Sequence, residues 1–351
     1  MTTTADLPVP PAEFWTATET LKKIYKRKLC LAAERNDCEG PIVEAHTIPR
    51  SQLRRIAVNG QVYHICAMPA DLLENAGQFT VGKKGISEFS ILNCFCAKHD
   101  REVFSHIEND ELVFDAHQLA LLHYRAMGAE LYKKLSGLEG ARHQTRTLQS
   151  RSYQGDLEKH QFAKAYELGS ELGLRDMTRT FSNCESILVN REYERINGLI
   201  LRFNKIPTVM TVGGFSPEFD YEGRPLQHLG RVGQTYEQIG VSILAAQGRA
   251  ALIFTWLSDA AVCRRFAQSF VAQEHQLYST LAIQTAFEHL ENTCMNIHWW
   301  DSLLQIEREK LLERMQIGGS PFHGRTGTCL QFCGINFGQW DFDELTFVDG
   351  N

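Results

Sequence analysis

Long apolar runs are missing from this chain. No stretch of its 351 residues approaches eighteen consecutive apolar side chains, so a membrane-spanning helix is not expected. Met1 to Pro11 is polar and proline-rich and lacks the basic start and apolar core of a secretion signal. Ten cysteines are too sparse for a disulfide scaffold in a chain of this length. A positive charge excess is also missing: the net charge is −6, so any affinity for nucleic acid has to be local. There is no phosphate-binding glycine loop, no dinucleotide fingerprint and no nucleophile elbow. These absences describe a cytoplasmic protein with reduced thiols, in which clustered Cys and His mean metal rather than disulfide.

What is present is an ordinary globular composition, 43% hydrophobic and 22% charged, long enough for two domains. The patterning predicts an α+β fold. Residues 1–12 read as a disordered leader. Phe14 to Leu31 reads as a basic amphipathic helix, and Ser51 as the N-cap of a short one. A strand is expected over 60–66 after the Asn59–Gly60 turn, and mostly loop over 79–95. A long periodic helix covers 115–135. Residues 137–155 read as a linker, either a hinge or the start of another helix. Helix is expected over 156–204 with a break near Gly169–Gly173. Beyond it come strands at 206–215, 236–242 and 249–256 and helices at 259–270, 276–292 and 299–315. The division expected is a zinc-binding unit over 13–136 and an α+β regulatory or recognition domain over 156–351.

The informative segment runs from Cys30 to Asp100. Cys30-x7-Cys38 is followed at a distance by Cys96-x2-His99, four thiolate and imidazole ligands suited to a tetrahedral zinc ion. Cys94 competes with Cys96, and Cys96 is preferred for its two-residue gap to His99. Between the pairs stands Ala45-His46-Thr47-Ile48-Pro49-Arg50-Ser51, which a structural zinc does not require.

This pattern resembles the zinc-containing branch of the HNH endonucleases, built on a treble-clef finger with a ββα-metal core. The resemblance covers residues 28–108, under a quarter of the chain. It implies hydrolysis of phosphodiester bonds in nucleic acid, DNA ahead of RNA, in a setting such as prokaryotic defence. It makes His46 the base that activates water and Asp100 the holder of a catalytic Mg²⁺ or Mn²⁺, in the place where the family carries histidine. Asn93 is the candidate for the family's middle Asn, although it stands close to Cys96. Asp100 equally suits the N-cap of a helix over 101–107, and His46 equally suits a buried hydrogen bond within the finger.

Charge gives local support for nucleic acid. Lys22 to Arg55 holds nine Lys and Arg against four acids, and Lys26, Lys28, Arg50, Arg54 and Arg55 are candidate phosphate contacts. The C-terminal half carries no comparable motif. Gly213 to Asp220 reads as a turn rather than a ligand loop, and Trp299, Trp300, Phe332, Phe337, Trp340 and Phe342 read as core, with stacking on bases or a partner as the alternative. That half is expected to meet a protein partner or a signal.

Overall fold

The computed structural model describes residues 12–349 except 68, 76, 151–156, 232 and 319–323. Of the leader expected over 1–12, residues 1–11 lie outside that set and Ala12 opens the first helix. Helix α1 (Ala12–Tyr25) is followed by β1 (Ile42–His46), α2 (Arg50–Leu53), β2 (Gln61–Cys66), α3 (Pro69–Glu74), β3 (Thr80–Gly85), β4 (Ile91–Cys96) and α4 (Ala97–Glu108). β1 and β4 pair antiparallel, with His46 opposite Ile91 and Ile42 opposite Cys96. α4 leaves β4 directly, which completes a ββα unit with α2 to β3 inserted between its strands. α2 begins at Arg50 with Pro49 at its N-cap and no side-chain cap bond, so Ser51 lies inside the helix rather than capping it.

Two long helices follow, α5 (Ala116–Ser150) and α6 (Leu157–Asn190), packed against one another. The linker expected over 137–155 is therefore helical as far as Ser150. Gly137 and Gly140 do not end α5, because their bare backbone receives Tyr25 and Leu21 of α1 at 3.5–3.7 Å from where a Cβ would stand. Tertiary packing outweighs the low helix propensity of glycine here.

The second half supplies β5 (Ile196–Phe203), β6 (Val209–Phe215), β7 (Ile239–Ala246), β8 (Arg249–Leu257), α7 (Ala261–Val271), α8 (Tyr278–His289), β9 (Thr293–Met295), α9 (Ile297–Ser302), α10 (Gln305–Gly318) and β10 (Phe342–Val348). Helix expected as far as 204 stops at Asn190, and 196–203 is a strand. Both faces of β5 are buried, so its apolar residues run on without the alternation that marks a half-exposed strand. The strands form one antiparallel sheet in the order β10-β5-β8-β7-β6-β9-β2-β3. β2 joins it through β9, with His64 opposite Cys294. Residues 61–85 of the expected zinc unit thus complete the sheet of the second half.

Helices cover both faces of that sheet. On one, α5 and α6 close a core containing Met127, Phe181, Ile200, Val212 and Ile253, shared with Phe95 and Phe104 of the ββα unit. On the other, α7 to α10 close a core containing Leu199, Phe254, Trp256, Phe266 and Phe287. Trp299, Trp300, Phe337 and Trp340 are buried there as expected, whereas Phe332, expected in the core, is exposed and Phe342, on β10, is only partly buried. α5 can lie this close because Gly198, Gly213, Gly214 and Gly240 of the strands face it without side chains. A Cβ on Gly214 would meet Met127 Cε at 2.4 Å, and one on Gly240 would meet His123 Nδ1 at 3.1 Å.

A candidate metal centre

The chain enters the centre along β4. Beyond Tyr25 it runs extended, and the N–H groups of Leu29 and Leu31 donate to the carbonyls of Asn93 and Cys94 at 3.1 and 2.9 Å. This places Cys30 beside Cys96, whose N–H reaches the Cys30 sulfur at 3.5 Å. The loop to Cys38 is held on α6 by the Arg35–Glu185 ion pair, both side chains largely buried. Gly40 then turns the chain at φ +76°, a conformation suited to glycine. Pro41 and Glu39 carbonyls accept from Ala97 and Lys98 at 2.9 and 3.2 Å, which seats the turn on the start of α4.

The result brings Cys30, Cys38, Cys96 and His99 together, with their ligand atoms all within 4.8 Å of one another. His99 Nδ1 lies 3.3 Å from the sulfurs of Cys30 and Cys96 and 3.7 Å from that of Cys38. Its Nε2 donates to Asp37 Oδ1 at 2.7 Å, and Lys98 holds the other Asp37 oxygen at 2.8 Å. A proton on Nε2 leaves the Nδ1 lone pair aimed at three sulfurs, the tautomer a metal ligand needs. Side-chain bonds from Lys98 and His99 bring the Asp37 carboxyl down to about 2. Burial is the largest influence on both inner thiols. It pushes Cys30 up to about 12, whereas at Cys96 backbone N–H groups of His99 and Glu39 outweigh it and bring the thiol to about 7. The donor set and the tautomer fit a soft or borderline cation. Cys94, the competitor, is buried in the core and takes no part.

Asp37 was not legible as a functional residue except by standing next to Cys38. Asp37→Ala is expected to leave the fold intact and weaken metal affinity by about 10- to 100-fold, as loss of an orienting carboxylate does. Competition with a chromophoric chelator measures this, and an unchanged affinity would remove Asp37 from the centre.

His46 ends β1 opposite Ile91, and Asp100 lies in the first turn of α4. His46 Nε2 donates to the Ile86 carbonyl at 3.2 Å, which leaves Nδ1 as the ring's proton acceptor. Burial raises the Asp100 carboxyl above its ordinary range. The Arg125 charge opposes that rise, Glu108 adds to it, and His46 opposes it in turn. Asp100 is not the N-cap of α4, a place taken by Cys96. Arg125, on α5, carried no sequence signal. It is buried, pairs through Nη2 with Glu108 at 2.5 Å, lies over the Phe104 ring, and its Nη1 has no hydrogen-bond partner among the described residues. Asn93 is not brought to His46 or Asp100 by its side chain, which donates to the Lys26 carbonyl at 3.2 Å. His106 is engaged by Asp110 and Asp115.

No family model matches the chain, no curated protein matches it, and no solved structure matches it. What the geometry supports directly is a Cys₃His group able to hold a metal. Around Asp100 the described residues gather no group of three such ligands, so the expected Mg²⁺ or Mn²⁺ has at most a carboxylate or two to bind. No described helix is long and apolar enough to cross a membrane.

Of the basic residues, Lys26, Lys28, Arg50, Arg54 and Arg55 are exposed and have no ion-pair partner among the described residues. Lys22, Arg27 and Arg35 are paired with Glu74, Glu139 and Glu185, so part of the local surplus is neutralised by chain far away in sequence.

Proposed function

We propose that the ββα unit is a zinc-organised, HNH-like hydrolase of phosphodiester bonds in nucleic acid. The observation that carries this reading is the Cys₃His group on a ββα unit whose β1 ends in His46 and whose α4 carries Asp100 in its first turn. Zinc held by Cys30, Cys38, Cys96 and His99 would serve as a cross-link, since four protein ligands leave no open position for water. His46, its Nε2 fixed on the Ile86 carbonyl, takes the proton of the attacking water on Nδ1. Asp100 would hold Mg²⁺ or Mn²⁺ together with substrate phosphate oxygens, and such a cation stabilises charge on the phosphate and leaving group. Lys26, Lys28, Arg50, Arg54 and Arg55 bind the backbone of the strand, DNA ahead of RNA.

The five exposed cations and the displaced Asn93 also favour a second reading, a finger that binds nucleic acid or a protein without cutting. Zinc-loaded protein incubated with DNA and RNA in Mg²⁺ or Mn²⁺ separates the two. Cleavage supports the hydrolase. Binding that weakens steeply with salt, with the substrate left whole, supports the binding module.

Asp100 makes a further prediction. Its carboxyl titrates higher in the folded chain than in the unfolded one, so its contribution to stability is present at low pH and lost as pH rises. Asp100→Asn is expected to melt higher than the wild type near neutral pH, with the gap closing as pH falls through the ordinary carboxylate range, where the unfolded chain protonates as well. Cleavage falls in the same variant. Melting curves across that range check the sign, and a gap that does not change with pH would contradict it.

A further inference from the structure

A cleft of about 880 Å³ lies between the ββα unit, α5, α6 and the chain that follows α8. Its volume falls in the range of small-molecule sites, and it is separate from the Cys₃His group. Several features suit it to a ligand. Phe162 and Tyr166 of α6 line it while remaining 38% and 41% exposed, with their rings parallel at 6.3 Å. Lys84 and Lys134 line it without an ion-pair partner among the described residues. Gly169 of α6 lines it as well, in the interior of a helix, where glycine is among the least favourable residues. No described residue stands within 4 Å of where its Cβ would be, so packing among them does not demand glycine there and its absence of side chain keeps space open. On the inner wall, both ring nitrogens of His289 are buried with no hydrogen-bond partner among the described residues, the ring lying flat on Phe215 at 3.8 Å.

The charge of the cleft is mixed. Glu130 is engaged by Lys133 at 2.6 Å, while Glu88 and Glu291 add acceptors to the wall. A purely anionic or purely apolar ligand would leave one of these sets unused. A flat heteroaromatic ring with amine donors, carrying an anionic group, uses all of them: rings for stacking, carboxylates for the amines, ammonium groups for the anion.

We propose that this cleft binds a nucleoside phosphate, with the base on Phe162 and Tyr166 and the phosphate at Lys84 and Lys134. The site is distinct from His46 and Asp100, and the proposal does not depend on hydrolysis there. A free nucleotide and the end of a nucleic-acid strand carry the same chemistry, so the test includes both.

The full chain is titrated with fluorescent mant-AMP, then competed with unlabelled AMP, GMP and a short 5′-phosphorylated single strand. Saturable binding with a Kd below about 1 mM is expected. Lys134→Ala and Gly169→Leu are each expected to weaken it by at least about tenfold with the melting temperature retained, since leucine at 169 meets open space and favours helix. Competition by AMP or GMP alone identifies a free nucleotide, and competition by the strand alone identifies a strand end. His46→Ala binds as the wild type does. Absence of saturable binding, binding unchanged in both cleft variants, or binding lost in His46→Ala overturns the proposal.

Discussion

Cys96→Ser is expected to release the metal and collapse the ββα unit. Wild-type protein should carry one zinc per chain by elemental analysis, and the variant well under half of that. The effect is large because Cys96 is the hub of the centre: it ends β4, caps α4, lies 3.3 Å from His99 Nδ1 and takes its place beside Cys30. Structural zinc contributes on the order of 10 kcal/mol or more in small fingers, and binding is coupled to folding. The ββα unit shares Phe95 and Phe104 with the large core, so its loss is expected to lower the melting temperature of the whole chain and open 30–46 to proteolysis. Chelation of the wild type should reproduce both changes. Zinc-free protein with unchanged melting and unchanged digestion would make the four residues a buried thiol cluster and nothing more.

His46→Ala should abolish cleavage while keeping zinc. A positioned base contributes about 10²- to 10⁴-fold, so the rate is expected to fall by that factor with the melting temperature little changed. His46 is half-buried and makes one side-chain hydrogen bond among the described residues, to Ile86, so its removal leaves one carbonyl to be met by water rather than an empty core. Retention of zinc separates this outcome from that of Cys96→Ser. If the alanine variant cuts as fast as the wild type, His46 is not the base, and the binding reading of the finger gains. Salt dependence gives an independent readout: in either reading, removing Arg50 or Arg54 should reduce the salt slope by about one per lost phosphate contact.

Much of the centre was legible in the sequence. The two-residue gap from Cys96 to His99 is a property of a helix start, and α4 does begin between them. Cys30 and Cys38 were legible as a pair by residue type, although the loop between them gave no sign of how it would fold back. That depends on Arg35 meeting Glu185, 150 residues away, and on strand-like bonds from Leu29 and Leu31 to β4. Over 137–150 the polar, glycine-bearing sequence gives no sign that α5 continues, which depends on its packing against α1 and α6. β5 was read as helix because a strand buried on both faces has no period to reveal.

Residue chemistry and spacing alone determined that this chain has a candidate Cys₃His set and an α+β fold, because ligand type and periodicity are local properties. Tertiary structure alone decided that β2 and β3 belong to the large sheet, that Asp37 orients His99, that Arg125 and Asp100 share one neighbourhood, and that Glu139 and Glu185 quench part of the basic stretch. Each of these is a contact between segments far apart in sequence, fixed by which apolar faces bury together rather than by any pattern within one segment.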